Sequence, residues 1–336
     1  MGKRMSIKSF GRVCLFLLPI MGMGLLVSPA TAESQEVNFP TKPVEILVPF
    51  GPGGSMDITS RILGEYLPEE LKVTVIIRNR PGAGGMTGTT SFLRGKPDGY
   101  TIVEGNGASL ISIVQMAKNP PYDPREDLLP LGYVANTPYV LVVPKTSPFD
   151  SFDEFVQYGR SNPGELKGGF ANVGSEAHFA LLSILRDAKI KGKQIPFTGA
   201  AQTTSAIVGG HVDWITKTVP SAIGYIKSGD MKPLLQTSKT SQLPNLPTAK
   251  EKGLPTFAIT ANLWVAFFAH PDIPRSRYDI LVSAIANTVK KPEVTKKLEA
   301  LGFNVDYKNP KECSTLIEEQ WQAIAAMIKE IGIKTN

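Results

Sequence analysis

The chain has 336 residues, with 36 lysines and arginines against 30 aspartates and glutamates, and a formal net charge of +6 at pH 7. Four of the basic residues lie within the first 12 positions, so the remainder is nearly neutral, with 32 basic and 30 acidic side chains. No Lys/Arg-rich run and no alternation of basic and aromatic residues occurs. This composition argues against a nucleic-acid partner.

The first 32 residues have the layout of a cleaved export signal. A basic start is followed by an apolar stretch over 13–27 and by the small residues Ala30-Thr31-Ala32. The stretch contains Pro19 and is shorter than the roughly 20 residues that a membrane-spanning helix needs. We therefore expect export and cleavage after Ala32. Cys313 would then be the only cysteine, which excludes an internal disulfide.

Strands and helices alternate along the rest of the chain. The expected strands are Val44–Pro49, Val73–Arg78, Tyr100–Glu104, Tyr139–Pro144, Leu166–Ala171, Gln194–Thr198 and His211–Thr216. Ser151 and Glu154 form the capping box of one intervening helix, and the tail from about Ile273 to Ile333 has a helical apolar period. This alternation favours parallel sheets sandwiched by helices. In such sheets, ligands bind beyond the carboxyl ends of the strands.

Two glycine-rich turns each lead from an expected strand into a helix. With the end of the strand included, the first covers Ile46–Asp57 and the second covers Gly168–His178. The start of a helix has unpaired N–H groups and about half a positive charge, which favours a bound anion. Glycine lets an anion approach the backbone because it has no Cβ. The two turns together predict a cleft that binds a small anion from both sides.

The sequence offers no enzyme motif. Met56 stands where a dinucleotide-binding turn would have its third glycine, and neither a phosphate-binding lysine loop nor a G-x-S-x-G serine motif is present. His211 and Asp213 have no clustered Cys, His or Glu partners in the sequence that would suggest a metal site. We expect no catalytic residues, no cofactor and no metal.

Seven segments resemble, in order and spacing, the Bug (TctC-like) family, the substrate-binding proteins of tripartite tricarboxylate transporters. They are Lys42–Asp57, Arg78–Gly85, Pro97–Thr101, Gly174–His178, Gly209–Asp213, Leu243–Thr248 and Lys291–Val294. The resemblance implies an α/β, two-lobed periplasmic binding protein (type II-like) with a cleft between two parallel-sheet domains. We expect a signal peptide over 1–32, lobe one over 33–136 plus 256–336, and lobe two over 137–255.

The resemblance also implies that backbone amides of both turns bind carboxylate oxygens. The candidate ligand-binding residues are Phe50, Pro52, Gly53, Gly54, Ser55, Asp57 and Gly84 in lobe one, and Asn172, Gly174, Ser175, His178, Thr198, Gly199 and Ala200 in lobe two. Structural roles are equally typical of several of these residues. Asp57 is favoured in a first helical turn without any ligand, Ser175 is an ordinary N-cap residue, and His178 could cap or pack.

The implied function is capture of a small di-, tri- or aromatic carboxylate in the periplasm and its delivery, by a monomer, to membrane transporter subunits. The alternative is a periplasmic sensing module that reports the carboxylate to a membrane sensor kinase. Two departures from the family's sequence pattern leave the identity of the cargo undetermined. Thr198 replaces a lysine that many relatives have there, and Trp214 and Lys217 lie in an unusual segment where either could reshape the pocket. Trp214 is equally typical of core packing.

Overall fold

The computed structural model describes residues 38–171 and 173–331, and within them ten strands form one mixed sheet. The strands are β1 (Val44–Val48), β2 (Val75–Asn79), β3 (Thr101–Gly105), β4 (Leu129–Pro144), β5 (Lys167–Ala171), β6 (Lys193–Phe197), β7 (Trp214–Thr218), β8 (Met231–Gln236), β9 (Asn262–Ala269) and β10 (Asn304–Lys308). Their order is β2-β1-β3-β9-β4-β7-β5-β6, and β8 and β10 also pair with β4. The expected signal peptide and Asn172 lie outside the described residues.

Helices cover both faces of the sheet. They are α1 (Ser55–Leu71), α2 (Met86–Leu93), α3 (Ile113–Met116), α4 (Phe152–Ser161), α5 (Glu176–Asp187), α6 (Ala200–Val208), α7 (Val219–Lys227), α8 (Pro255–Thr260), α9 (Arg275–Val289), α10 (Pro292–Ala300) and α11 (Pro310–Ile331). The predicted capping box is confirmed, since Glu154 N donates to Ser151 Oγ at 3.2 Å. Within the described ranges, no helix combines the length and apolar character that crossing a bilayer requires.

Two groups of parallel strands form as the strand–helix alternation predicts. β1 pairs in parallel with β2 and β3, and β5 pairs in parallel with β6 and β7. The sheet as a whole is mixed, because β4 and β9 are antiparallel to their neighbours. The prediction of a wholly helical tail is wrong at β10, which lies between α10 and α11. β10 forms because Asn304 and Val305 pair with Asn136 and Ala135 of β4. The local apolar period cannot predict this pairing, because β4 is distant in the sequence.

The long strand β4 joins the two parallel groups. It pairs with β9 as far as Pro138, which lies opposite Asn262. From Tyr139, opposite Thr218, it pairs with β7, and β8 pairs along its other edge. The change of partner brings the carboxyl ends of strands from both groups toward the same region of the fold. Tyr139, the first residue after the change, lies in the wall of the candidate site.

Trp214 belongs to the hydrophobic core. Its side chain is 0% exposed, and its ring meets that of Phe155 edge to face with centroids 5.4 Å apart. The backbone of Gly168 lies against the same indole, where a Cβ would come within 2.8 Å of ring atoms. The structure therefore favours core packing over a pocket lined by this tryptophan.

We expect Gly168→Ala to lower the free energy of unfolding by about 1–3 kcal/mol, the usual cost of overpacking a dense core. The added Cβ would lie 2.6 Å from Leu181 Cδ1 as well as against Trp214. Gly224→Ala in α7 is the matched control, since nothing lies within 4 Å of its Cβ position. Urea denaturation measures both variants, and equal stabilities would contradict this description of the core.

Candidate functional site

The first glycine turn is fixed by a hydrogen bond from its own backbone to a helical side chain. Gly53 adopts φ +79°, a left-handed conformation that favours glycine, and Gly54 is the N-cap residue of α1. The Gly53 N–H donates to Asp57 Oδ2 at 2.9 Å. Asp57 lies four residues along the chain, in the first turn of α1, so the helix itself sets the position of the glycine amide.

The second turn repeats this arrangement. Gly174 adopts φ +80°, and Ser175 is the N-cap residue of α5. The Gly174 N–H donates to His178 Nδ1 at 3.1 Å, while Ser175 Oγ accepts from His178 N at 3.2 Å. In both turns, therefore, a left-handed glycine immediately precedes the N-cap residue. The amide of this glycine donates to the side chain of the third helical residue.

Asp57 supports the first turn and is not among the residues that line the cavity described below. Its side chain is buried, and its Oδ2 also accepts from Arg61 Nε at 2.9 Å. Asn79 Nδ2 donates to Asp57 Oδ1 at 2.9 Å and to Phe50 O at 3.0 Å, which links the turn to β2. Burial alone would raise the pKa of Asp57, but the hydrogen bonds, with that from Arg61 foremost, lower it below its usual value. Asp57 is accordingly a stable anion.

His178 has the corresponding position in the second turn. Its Nδ1 accepts a hydrogen bond, so its proton lies on Nε2, which is 3.3 Å from Gln194 Oε1. The imidazole stacks on Phe170 with ring centroids 4.0 Å apart. Burial lowers its pKa, which favours the neutral ring that this hydrogen-bond pattern needs. The side chain thus positions the turn.

These side chains use the Gly53 and Gly174 amides, but they leave the amides of the first helical residues unused. Ser55 and Met56 in α1, and Glu176 and Ala177 in α5, have no intrahelical acceptor for their N–H groups. All four residues line one cavity of about 390 Å³. Its walls are Phe50, Gly54, Ser55, Met56, Asn106, Ala108, Tyr139, Ala171, Ser175, Glu176, Ala177 and Leu263.

A smaller cavity of about 170 Å³ adjoins the first. The two share Tyr139, Ala171 and Ala177, and the smaller one is also lined by Thr203, Thr216, Lys217, Thr218 and Ser221. Ser55, Met56 and Glu176, at the starts of α1 and α5, line only the larger of these two neighbouring cavities, and Lys217 lines only the smaller one. We call these the near chamber and the far chamber.

The structure brings some of the sequence candidates together and separates others. Phe50, Gly54, Ser55 and Ser175 line the near chamber. Gly84 lies in a short 3-10 turn against Ile113, and Thr198 is exposed with its hydroxyl and amide bonded to Gln202 Oε1. Six further candidates do not line either chamber: Pro52, Gly53, Asp57, Gly174, His178 and Gly199. Ala200 is the first residue of α6. Asn172 lies outside the described residues.

Sequence reasoning missed Glu176 and Tyr139, the titratable side chains of the near chamber. Glu176 is only 6% exposed, and its Oε2 lies 3.4 Å from Tyr139 Oη. Burial raises the pKa of Glu176 to about 7, although Tyr139 and the backbone of Ala108 partly offset this. An acidic residue in a first helical turn ordinarily indicates only a favourable interaction with the helix dipole, so the position of Glu176 in the sequence does not indicate a binding site. In the described part of the chain, no three Cys, His, Asp or Glu side chains are grouped as a metal site.

Comparison with known proteins identifies the family. The profile described as "Tripartite tricarboxylate transporter family receptor" matches residues 59–333, which include the second turn and begin two residues after Asp57. The chain belongs to this family. Protein BugT of Bordetella pertussis is 28% identical over 323 residues, which cover 95% of this chain and 98% of BugT. The resemblance expected from the sequence segments is confirmed.

Solved structures give the same result for the fold. Periplasmic binding protein BugD superposes with a TM-score of 0.70 at 27% identity, over 89% of this chain and 100% of BugD. An R. palustris protein with adipate gives a TM-score of 0.73 at 25% identity, over 88% of this chain and 99% of that one. The expected two-lobed periplasmic binding protein fold is confirmed, and the family consists of substrate-binding proteins.

The buried carboxyl of Glu176 predicts a pH-dependent stability. The folded protein keeps the Glu176 proton up to about pH 7, whereas the unfolded chain releases it near the ordinary pKa of 4.5. Since the folded state then binds more protons, the free energy of unfolding falls as pH rises across this window, by about 3 kcal/mol at most. Glu176→Gln removes this contribution, so its free energy of unfolding should rise relative to that of the wild type from pH 4.5 to pH 7.

Urea denaturation at several pH values measures this difference. Glu299→Gln, at an exposed position on α10, is the matched control for removal of a negative charge. If the Glu176→Gln and wild-type profiles stay parallel from pH 4.5 to pH 8, the carboxyl of Glu176 does not titrate as the structure predicts.

Proposed function

We propose that this chain is a periplasmic solute-binding protein that captures a small organic carboxylate in the near chamber and delivers it to the membrane subunits of a tripartite transporter. The observation that carries the proposal is that the first residues of α1 and α5, whose amides have no intrahelical acceptor, line the same cavity. Membership of the receptor family supports the delivery step, and the similar R. palustris structure with adipate supports a carboxylate cargo.

The electrostatics of the near chamber suit a carboxylate. Each helix start contributes about half a positive charge, and hydrogen bonds to a charged group contribute about 1.5–3 kcal/mol each. The Gly53–Asp57 and Gly174–His178 hydrogen bonds fix both turns before any ligand arrives, so little ordering is needed on binding. A cavity of about 390 Å³ falls at the lower end of the usual range for small-molecule sites, which favours a small cargo.

We also propose the lobe division expected from the sequence, with lobe one over 33–136 plus 256–336 and lobe two over 137–255. The change of partner along β4 between Pro138 and Tyr139 supports a boundary close to Asn136. β9 begins at Asn262, opposite this point, which supports the second crossing. Ligand contacts to both lobes would favour a closed arrangement. We also propose that the protein is exported by a signal peptide that is cleaved after Ala32.

A thermal-shift screen of mono-, di-, tri- and aromatic carboxylates tests the capture step. A ligand at 100 times its Kd adds about 2.7 kcal/mol to the free energy of unfolding, which gives a clear rise in Tm. Primary amides of the same carbon skeletons serve as uncharged controls. If no carboxylate raises Tm above its amide, carboxylate capture is contradicted.

Ser55→Pro tests whether backbone amides bind the cargo. Ser55 is the first residue of α1, where proline is well tolerated, and Gly54 has φ −79° and ψ 168°, which suit a residue before proline. The variant loses one N–H and should bind the best carboxylate of the screen about 10- to 150-fold more weakly. Ser55→Ala keeps the amide and should bind within a few-fold of the wild type.

Calorimetry measures both affinities, and circular dichroism checks that both variants are folded. A folded Ser55→Pro protein with the affinity of Ser55→Ala would show that this amide is not part of the site.

A further inference from the structure

The near chamber has a buried carboxyl group in its wall, that of Glu176. Glu176 is the first residue of α5, and it is only 6% exposed. Its Oε2 accepts a hydrogen bond from Tyr139 Oη at 3.4 Å, whereas its Oε1 has no hydrogen-bond partner among the described residues. A buried polar atom without a partner is costly, so Oε1 is the unsatisfied atom of this carboxyl group.

The hydrogen bond from Tyr139 determines which oxygen of Glu176 carries a proton when the carboxyl is neutral. Because the Tyr139 hydroxyl donates to Oε2, the proton lies on Oε1. The resulting O–H group is a hydrogen-bond donor that lacks an acceptor within 38–171 and 173–331. The torsion that orients a glutamate carboxyl has a broad energy minimum, so this O–H can turn toward an acceptor in the cavity.

The proposed cargo brings such an acceptor to the same place. Its carboxylate is expected at the first-turn amides of α1 and α5, and one of these is the amide of Glu176 itself. Only a few bonds separate the amide and the carboxyl of one residue, so the two carboxyl groups would lie close together. Two ionised carboxylates repel strongly in a cavity of low dielectric constant. A proton between them removes this repulsion and gives a short, charge-assisted O–H···O bond.

We propose that Glu176 binds the cargo as a neutral carboxylic acid, with its Oε1–H donating to the cargo carboxylate. This rests on the proposed function, because the acceptor is the carboxylate bound by the starts of α1 and α5. When the solvent is alkaline enough to ionise Glu176 in the empty protein, capture takes up one proton from the solvent and becomes weaker. Glu176 thus makes the affinity for the cargo depend on pH, which a site built of amides alone would not do.

The titratable groups on the elements around Glu176 keep their charge between pH 6.5 and pH 9. Burial raises the pKa of Tyr139 on β4 well above its usual value, so Tyr139 stays protonated. Burial lowers the pKa of His178 on α5, which favours the neutral ring. Asp57 on α1 stays ionised, because its hydrogen bonds outweigh its burial and lower its pKa. A carboxylate cargo is also ionised throughout this range.

Calorimetry with the best carboxylate of the thermal-shift screen tests the proposal between pH 6.5 and pH 9. Wild-type protein should bind at least tenfold more weakly at pH 9 than at pH 6.5, because pH 9 lies above the Glu176 pKa of about 7. Titrations at pH 8 in buffers of different ionisation enthalpy should show that binding takes up protons. Glu176→Gln, whose side-chain N–H replaces the O–H donor, should bind equally well at every pH and take up no proton.

Three further variants complete the test. Glu176→Ala should also lose the pH dependence, and it replaces Glu176→Gln if that protein does not fold. Glu299→Gln removes an exposed carboxylate on α10 and should behave like the wild type. Lys217→Met removes the lysine of the far chamber and should keep the proton uptake, which shows that this lysine is not its source.

The outcomes separate this proposal from the proposed function. If the wild type binds the carboxylate with the same affinity from pH 6.5 to pH 9, or if Glu176→Gln shows the same pH dependence as the wild type, the role of Glu176 is overturned while carboxylate capture stands. If no carboxylate binds at any pH, both proposals fail. Proton uptake by the wild type and by Lys217→Met decides the matter even if neither Glu176 variant folds.

Discussion

The arrangement of the site depends on one interaction that occurs twice, a hydrogen bond from a left-handed glycine amide to the side chain four residues later. Gly53 bonds to Asp57 and Gly174 bonds to His178. Each bond closes the turn between strand and helix and uses the N–H of the left-handed glycine. The free amides that remain belong to the first helical residues, where their orientation is fixed by the helix. The two side chains differ in charge but make the same bond.

This division of roles explains how the near chamber can suit an anion although, among the residues that the structure describes, no arginine or lysine lines it. The positive potential comes from helix starts, which need no counter-ion and no flexible side chain. Lys217 supplies a full charge only in the far chamber. The near chamber also contains the carboxyl of Glu176, whose raised pKa keeps it largely neutral below about pH 7. A neutral carboxyl can lie beside a bound carboxylate, whereas an ionised one would repel it.

The sequence predicted those parts of the fold that depend on neighbouring residues. The parallel groups, the Ser151 cap and the two turns follow from local apolar periods, capping residues and glycines. β8, β9 and β10 were missed because their pairing with β4 is formed across the chain. Within the site, Asp57 and His178 were reasonable ligand candidates, since a polar residue in a first helical turn suits either role. Only the contacts reveal that they bond to the turn, and only the fold brings Tyr139 and Glu176 into the wall of one chamber.

The most direct measurement is a crystal structure of the protein with a carboxylate that raises its Tm. We expect the carboxylate oxygens to lie about 2.7–3.2 Å from the amide nitrogens of Ser55 or Met56 on one side and Glu176 or Ala177 on the other. Asp57 and His178 should keep their bonds to Gly53 and Gly174. A carboxylate bound elsewhere, or bound only by side chains with these four amides left free, would contradict the central role of the two helix starts.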